Sequence, residues 1–258
     1  MNDQTPMRDG FGRRIEYLRI SVTDKCNLRC VYCMPEAGLP WLKQDEILSF
    51  EEIESIVRVM AQMGLRRVRL TGGEPLVRPN LVDLVQRLAA IPGIEDIALS
   101  TNGVLLAPLA GELLAAGVRR VNVSLDSLEP DRMDAIARRP GVHDRILQGI
   151  CAAESAGFSP IKINVVVMRG RNDDELEDFA RLTIDRPLHV RFIEVMPVGA
   201  NLGVSANEYV SSFEILDRLR GLGDLVPVEG PPGNGPATYF RYPDAAGTVG
   251  VIPPMSHN

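Results

Sequence analysis

The chain has 258 residues, 45% of them hydrophobic and 24% charged, which is enough for one large domain or two small ones. Its formal net charge of −6 argues against nucleic acid as a partner. No apolar run reaches membrane-spanning length, and the polar residues 1–10 do not resemble a signal peptide, so we expect no membrane partner and a cytoplasmic location.

The first predicted strand, residues 15–22, leads directly into a loop that contains three of the four cysteines. Cys26, Cys30 and Cys33 have the spacing Cys-x3-Cys-x2-Cys. Three thiolates on one loop can hold a metal centre and leave one coordination position without a protein ligand. The fourth cysteine, Cys151, lies far away in a predicted helix. A cysteine triad without an even disulfide set suits a reducing compartment.

Strands and helices alternate after this loop. Ser49 and Glu52 have the spacing of a capping box, and Gly64 ends the helix that they begin. The alternation predicts strands at residues 15–22, 66–71, 94–100, 118–125, 161–168 and 188–196. The later helices are predicted at residues 81–88, 105–116, 132–137, 144–156 and 173–183.

This order indicates an α/β fold with parallel strands and helical crossovers. Six such units form a partial (β/α)6 barrel of the TIM type rather than the closed eight-unit form. We assign residues 1–198 to the barrel and residues 199–258 to a C-terminal region. In that region we expect a helix, a Gly/Pro-rich loop and a short β-hairpin, at residues 208–220, 221–236, and 239–242 with 248–252.

The chemistry of such barrels lies at the carboxyl ends of the strands. The second strand ends in Thr71-Gly-Gly-Glu-Pro75, where two glycines let backbone groups approach a ligand or simply form a turn. The third strand ends in Ser100-Thr-Asn-Gly103 and the fourth in Asn122-Val-Ser124-Leu-Asp126. These side chains suit hydrogen bonds to a ribose or carboxylate, and they are also ordinary helix caps.

Four cations lie within predicted strands and are flanked by apolar residues: Arg19, Arg69, Lys162 and Arg191. Lys and Arg are rarely buried without a partner. These four can point outward between helices, or pair with Asp126 or Glu194. On four different strands they also fit an anion pocket in the barrel mouth, with a triphosphate as its natural occupant. Phosphate binding has to come from such cations, because the sequence contains no P-loop or Rossmann fingerprint.

The cysteine spacing, with Tyr32 before the last cysteine, resembles that of the radical S-adenosylmethionine (SAM) enzymes. The resemblance implies a [4Fe–4S] cluster on Cys26, Cys30 and Cys33, with SAM chelated to the iron that lacks a cysteine. One electron then cleaves a sulfur–carbon bond of SAM and yields a 5′-deoxyadenosyl radical. These enzymes have a similar Gly-Gly-Glu-Pro segment after the second strand, and its backbone receives the SAM amino group.

Five segments narrow the resemblance to the GTP 3′,8-cyclases of molybdenum cofactor biosynthesis, which are lyases: LRISVTDKCNLRC at 18–30, RLTGGEPLVR at 69–78, STNG at 100–103, RVNVSLD at 120–126 and RFIEVM at 191–196. The match runs from about residue 10 to the C-terminus. In that family the radical abstracts the 3′ hydrogen of GTP ribose, and the resulting carbon radical attacks C8 of guanine to give 3′,8-cyclo-GTP.

The resemblance also implies ligand contacts by position. The SAM contacts are Tyr32, Gly73, Ser124 and Met196, and the GTP contacts are Arg19, Arg69, Ser100, Lys162 and Arg191. No further catalytic side chain is implied. The expected partners are GTP, a reductant of the flavodoxin or ferredoxin type, the downstream cyclic pyranopterin monophosphate synthase and a second copy of the chain in a homodimer.

The family also binds a second cluster through three cysteines of a C-terminal segment, and this sequence ends at Pro254-Met-Ser-His-Asn258, about where that segment begins. We therefore expect one cluster and SAM to bind, with turnover of GTP impaired. Two alternatives stay open. One is another radical SAM reaction, such as peptide modification. The other is a non-catalytic zinc or cluster module, which His143, His189 and His257 do not favour because none has ligand spacing.

Overall fold

The computed structural model describes residues 7–196, 204–233 and 235–255. Its central feature is a sheet of nine strands in the order β1-β2-β3-β4-β5-β6-β9-β8-β7. β1 to β6 and β9 run parallel, and β7 and β8 are antiparallel to their neighbours. The strands are β1 (Tyr17–Ser21), β2 (Arg67–Thr71), β3 (Asp96–Thr101), β4 (Val118–Ser124), β5 (Ile161–Val167), β6 (Leu188–Glu194), β7 (Val226–Val228), β8 (Thr238–Arg241) and β9 (Thr248–Ile252).

The sheet is open, because β1 and β7 are its two edges. Every connection from β1 to β6 contains an α-helix, as parallel neighbours require. The predicted partial barrel with a short C-terminal β extension is therefore confirmed. The helices are α1 (Phe50–Gln62), α2 (Leu81–Ala89), α3 (Ala110–Ala116), α4 (Pro130–Ala137), α5 (His143–Ala156), α6 (Leu176–Asp185) and α7 (Ser212–Arg220). Within the described ranges, no helix has the length and apolar content needed to cross a bilayer.

The two faces of the sheet differ in polarity because successive side chains on a strand point to opposite sides. On β4, Val121 and Val123 are fully buried in the main hydrophobic core, which also contains residues of the surrounding helices. Arg120, Asn122 and Ser124 alternate with these valines and so lie on the inner face. The apolar outer face thus fixes the helices, and the inner face is left for polar side chains.

The capping box predicted at α1 is present. Ser49 Oγ accepts a hydrogen bond from Glu52 N at 3.1 Å, and the Glu52 carboxylate accepts one from Ser49 N at 2.7 Å. These bonds satisfy two donors that the first helical turn leaves without partners. Gly64, with φ of 99°, follows the end of the helix as predicted.

The C-terminal region differs from prediction in two details. The helix predicted at 208–220 begins at Ser212, because Ser211 caps it and accepts a hydrogen bond from Glu214 N. A short strand, β7, lies within the predicted loop. The predicted hairpin is present as β8 and β9, and β9 also pairs with β6, so the extension continues the barrel sheet. The domain boundary proposed at residue 198 and His257 fall outside the described residues.

Candidate active site

The three cysteines of the predicted cluster lie on the loop that follows the carboxyl end of β1. Cys26 and Cys30 are partly buried, and Cys33 is exposed. Burial raises the pKa of all three thiols, because it disfavours the charged thiolate. Over residues 7–196, 204–233 and 235–255, no three Cys, His, Asp or Glu side chains are gathered as a metal site. The donors themselves fit an iron–sulfur cluster, since three soft thiols share one loop without imidazole.

The loop is attached to the end of β2 through backbone hydrogen bonds. Gly73 N donates to Thr23 O at 2.7 Å, and Glu74 N donates to Lys25 O at 2.8 Å. A Cβ at Gly73 would lie 2.4 Å from Lys25 O, so only glycine permits this approach. The Gly-Gly turn therefore fixes the chain that enters the cysteine loop.

A buried carboxylate ties the same loop to the end of β3. Glu74 accepts hydrogen bonds from Leu76 N, Thr101 Oγ1 and Asn102 N at 3.0, 2.7 and 2.6 Å. Asn102 Nδ2 in turn donates to Asn27 Oδ1 at 2.8 Å and lies 3.9 Å from Cys26 Sγ. Burial raises the pKa of Glu74, and these three hydrogen bonds oppose that shift. The carboxylate thus organises two strand ends around Cys26.

Tyr32 is held by a residue that directly follows β4. Its hydroxyl donates to Asp126 Oδ2 at 2.7 Å, and Asp126 Oδ1 accepts from Val166 N at 2.9 Å. Burial raises the pKa of Asp126 to about 6, and the two hydrogen bonds limit the rise. Neither Glu74 nor Asp126 was among the residues predicted to bind a ligand, although each belongs to a strand-end motif noted in the sequence.

The predicted SAM contacts share one edge of the sheet. Gly73, Ser124 and Met196 lie at or just after the carboxyl ends of β2, β4 and β6, and Tyr32 lies in the cysteine loop that follows β1. Ser124 is partly buried on the inner face, whereas Met196 is 44% exposed. Their placement agrees with a ligand site at the strand ends beside the cysteine loop.

The inner face holds a cluster of buried cations. Arg69, Lys162 and Arg191 are 8%, 3% and 4% exposed. Asn122 lies between them: with its amide oriented to satisfy its neighbours, the side-chain oxygen accepts from Arg69, from Ser100 Oγ at 3.2 Å and from Arg191 Nη2 at 3.3 Å. The structure thus brings four of the five predicted GTP contacts together around an asparagine that the sequence analysis did not assign.

These cations are not neutralised within the protein. In the part of the chain that the structure describes, no carboxylate forms an ion pair with Arg69, Lys162 or Arg191. The buried Arg69 Nε has no hydrogen-bond partner there. Burial, followed by the charges of Arg191, Arg120 and Arg69, lowers the pKa of Lys162 to about 7. Such uncompensated burial is costly, which indicates a site built for an anion.

Two arginines differ from the predicted set of GTP contacts: Arg19 was predicted but is exposed, and Arg120 was not predicted but is buried. Arg19 is in register with Arg69 and shares its face, but it is exposed because β1 is an edge strand. Arg120 is 6% exposed, and its guanidinium pairs with the Asp96 carboxylate through two hydrogen bonds. The alternation of β4 places Arg120 on the face of Asn122, and this pattern was available in the sequence.

The appended hairpin supplies a wall of the cation cluster. Tyr239 of β8 is 8% exposed, and Lys162 Nζ lies 6.0 Å from the centre of its ring. Burial lowers the pKa of Arg191, and the nearby Tyr239 hydroxyl group opposes that shift. The C-terminal extension therefore contributes to the surroundings of the cations, which could not be inferred from its loop-rich sequence.

Two family models match the chain. The Radical SAM superfamily model matches residues 20–183, and the model called Molybdenum Cofactor Synthesis C matches residues 188–258. The second match begins at the first residue of β6.

Curated relatives give the same assignment. The GTP 3′,8-cyclase of Pelotomaculum thermopropionicum is 54% identical over 253 residues, which is 98% of this chain and 78% of the relative. The GTP 3′,8-cyclase of Geobacter sulfurreducens is 52% identical over 248 residues, which is 96% of this chain and 76% of the relative.

Solved structures share the fold at low sequence identity. Streptococcus suis SuiB, crystallised with S-adenosylmethionine, has a TM-score of 0.63 and 17% identity, over 84% of this chain and 47% of SuiB. Methylornithine synthase has a TM-score of 0.60 and 18% identity, over 80% of this chain and 61% of the synthase. These similarities show that the fold is shared, in agreement with the match to the Radical SAM superfamily model.

Proposed function

This chain belongs to the GTP 3′,8-cyclase family of the radical SAM superfamily, and we propose on that premise that it is a lyase of molybdenum cofactor biosynthesis that cyclises GTP. The reaction joins C3′ of the ribose to C8 of guanine and gives 3′,8-cyclo-GTP. Family membership supports the use of SAM and a [4Fe–4S] cluster.

Cys26, Cys30 and Cys33 hold the cluster in this proposal, and residues 1–258 supply cysteine ligands for one cluster. When bound, the cluster and SAM supply a 5′-deoxyadenosyl radical that removes the ribose 3′ hydrogen. The chain positions that chemistry: Tyr32, Gly73, Ser124 and Met196 contact SAM, while Glu74 and Asp126 orient the loop through their hydrogen bonds.

GTP occupies the inner face of the sheet, where the buried cations bind its phosphates. Arg69, Lys162 and Arg191 provide the charges, Ser100 adds a hydroxyl group, and Arg19 contributes from the exposed edge. Guanidinium groups bind phosphate through paired hydrogen bonds, and a desolvated site strengthens each of them.

One observation carries this assignment: Arg69, Lys162 and Arg191 are buried together, and the described residues form no carboxylate ion pair with any of them. A polyanionic nucleotide compensates that charge. A peptide-modifying radical SAM reaction, which the fold alone also permits, does not account for three such cations.

The proposal is tested by anaerobic reconstitution with iron and sulfide, reduction with dithionite, and quantification of 5′-deoxyadenosine in the presence of SAM. We expect 5′-deoxyadenosine to form and GTP to increase its yield, whereas guanosine, which lacks phosphates, does not. Formation of 5′-deoxyadenosine that does not respond to GTP would contradict the assignment of a nucleotide substrate. A protein that contains zinc and no iron or sulfide would favour the non-catalytic module.

The same proposal includes partners that the family resemblance suggests. They are a reductant of the flavodoxin or ferredoxin type, the downstream cyclic pyranopterin monophosphate synthase and a second copy of the chain. It also includes a cytoplasmic location, since a cysteine-ligated cluster suits a reducing compartment.

GTP affinity is expected to fall as pH rises above neutrality, because the pKa of Lys162 in the ligand-free protein is about 7. Above that pH the lysine is neutral, and an anion can bind its charged form only after a proton is taken up. Between about pH 7.5 and pH 9 we expect the dissociation constant to rise by up to about tenfold per pH unit.

Calorimetric titration with GTP across this range measures the effect. Lys162→Arg is the matched control, because a guanidinium stays protonated throughout and should flatten the profile. A flat profile in the unmodified protein would exclude Lys162 as a titrating phosphate ligand.

A further inference from the structure

A Gly/Pro segment, Gly230–Gly233, contacts the buried cations through its backbone. Pro232 O accepts hydrogen bonds from Lys162 Nζ at 2.9 Å and from Arg120 Nη1 at 2.8 Å. Pro231 O accepts another from Lys162 Nζ at 3.3 Å. On this side of the pocket, Lys162 and Arg120 therefore already donate hydrogen bonds to backbone carbonyl groups.

That side is the amino-terminal end of the strands. Pro232 and Gly233 line a cleft of about 410 Å³ together with residues at the beginnings of β2, β3, β4 and β5, namely Arg67, Asp96, Arg119, Arg120, Ser159 and Pro160. The cysteine loop follows the opposite, carboxyl end of β1. The segment therefore lies beneath the cations, on the side away from the cysteine loop.

Gly233 permits this close approach. Its φ is 143°, and a Cβ there would lie 2.6 Å from Arg120 Nη1 and 3.0 Å from Lys162 Nζ. Any larger residue must move the segment or the cations. Gly235 offers a contrast nearby, since its Cβ would lie 3.6 Å from Arg191 Nη1, an ordinary contact distance.

The reaction orients the substrate relative to this segment. The ribose has to lie near the cysteine loop, because the chemistry takes place there. The phosphate chain then extends toward the amino-terminal ends of the strands and meets Lys162 and Arg120 at its far end. Carbonyl oxygens carry partial negative charge, so the segment repels phosphate oxygens and turns the remaining cation donors toward the carboxyl ends of the strands.

We infer that Gly230–Gly233 is the floor of the anion pocket and selects nucleotides by the length of their phosphate chain. This inference rests on the proposed function. A triphosphate reaches the cations beside the floor, a diphosphate stops short of them, and a fourth phosphate finds carbonyl groups instead of donors. The protein thereby distinguishes GTP from shorter and longer nucleotides by its terminal phosphate.

The test compares the binding of GTP, GDP and guanosine 5′-tetraphosphate by anaerobic calorimetry. The unmodified protein is expected to bind GTP at least about tenfold more tightly than GDP, because only GTP has the third phosphate that makes charge-assisted contacts beside the floor. A fourth phosphate is expected to add no affinity. Gly233→Ala should reduce the GTP preference by about fivefold or more, and Gly235→Ala should keep it within about twofold.

The outcomes distinguish a failure of the proposed function from a failure of the inference about the floor. If the unmodified protein binds no guanine nucleotide, the proposed function fails. If it prefers GTP but binds the tetraphosphate about tenfold more tightly, no floor limits the chain. An unchanged GTP preference in a folded Gly233→Ala protein also overturns the inference. The tetraphosphate comparison needs no variant and decides the question even where Gly233→Ala fails to fold.

Discussion

Replacing Cys26, Cys30 or Cys33 with alanine is expected to reduce 5′-deoxyadenosine formation to background. A cluster in which three irons are held by cysteine and the fourth is left for SAM has no spare protein ligand, so the loss of one thiol removes the cluster or its open iron. The visible absorption of the reconstituted protein should fall with the activity.

Cys151→Ala is the matched control. This cysteine is exposed on α5, away from the loop, and its replacement should leave both the absorption and the yield unchanged. The iron and sulfide content per chain provides an independent readout. Full iron loading with normal 5′-deoxyadenosine formation in any one of the three variants would remove that cysteine from the ligand set.

Arg191→Met is expected to weaken GTP binding by about 30- to 150-fold, because a buried charge-assisted contact contributes roughly 2–3 kcal/mol. Arg191 is 4% exposed, and its Nε donates to Asn164 Oδ1 at 2.9 Å. Slow cleavage of SAM in the absence of substrate should persist, since the cysteine loop and the four residues proposed to contact SAM are untouched.

The melting temperature of ligand-free Arg191→Met is a second readout, because a folding defect would lower it. Burial is the main cause that lowers the pKa of Arg191, so its charged form is disfavoured in the folded, ligand-free protein. Methionine removes that cost, and we expect the ligand-free melting temperature to stay equal or rise. Arg145→Met, at an exposed position of α5, is the control and should change neither quantity. Unchanged GTP affinity in Arg191→Met would exclude the cation cluster as the phosphate site.

The sequence alone was sufficient for the elements and for the cysteine loop. Local signals determine these features: the alternation along strands, the capping box at Ser49, and three thiols within one short segment. The two errors in the C-terminal region, the start of α7 and the missed strand β7, also have local causes. The N-cap Ser211 makes the helix begin four residues later than predicted, and β7 is a three-residue edge strand, too short for its alternation to be recognised.

The site itself is assembled from residues distant in the chain. Tyr32 and Asp126 are 94 residues apart, and Arg120 and Pro232 are 112 apart. Alternation puts Arg69 and Arg120 each on one face of a strand, but it does not say which face lies toward the helices. Packing decides that, because the apolar face of each strand has to meet the helices and so turns the charged face inward.

The sequence by itself thus determined the fold class, the position of the cysteine triad and the family resemblance, because each depends on order and spacing along the chain. Only the tertiary structure exposed Arg19, buried Arg69, Lys162 and Arg191 around Asn122, and brought the backbone carbonyl groups of Pro231 and Pro232 into contact with Lys162. These outcomes depend on which strand forms an edge and on where the C-terminal hairpin joins the sheet. β1 is an edge because it pairs with β2 alone, and the hairpin joins the sheet through the pairing of β6 with β9, a contact between residues about 60 positions apart that no local pattern encodes.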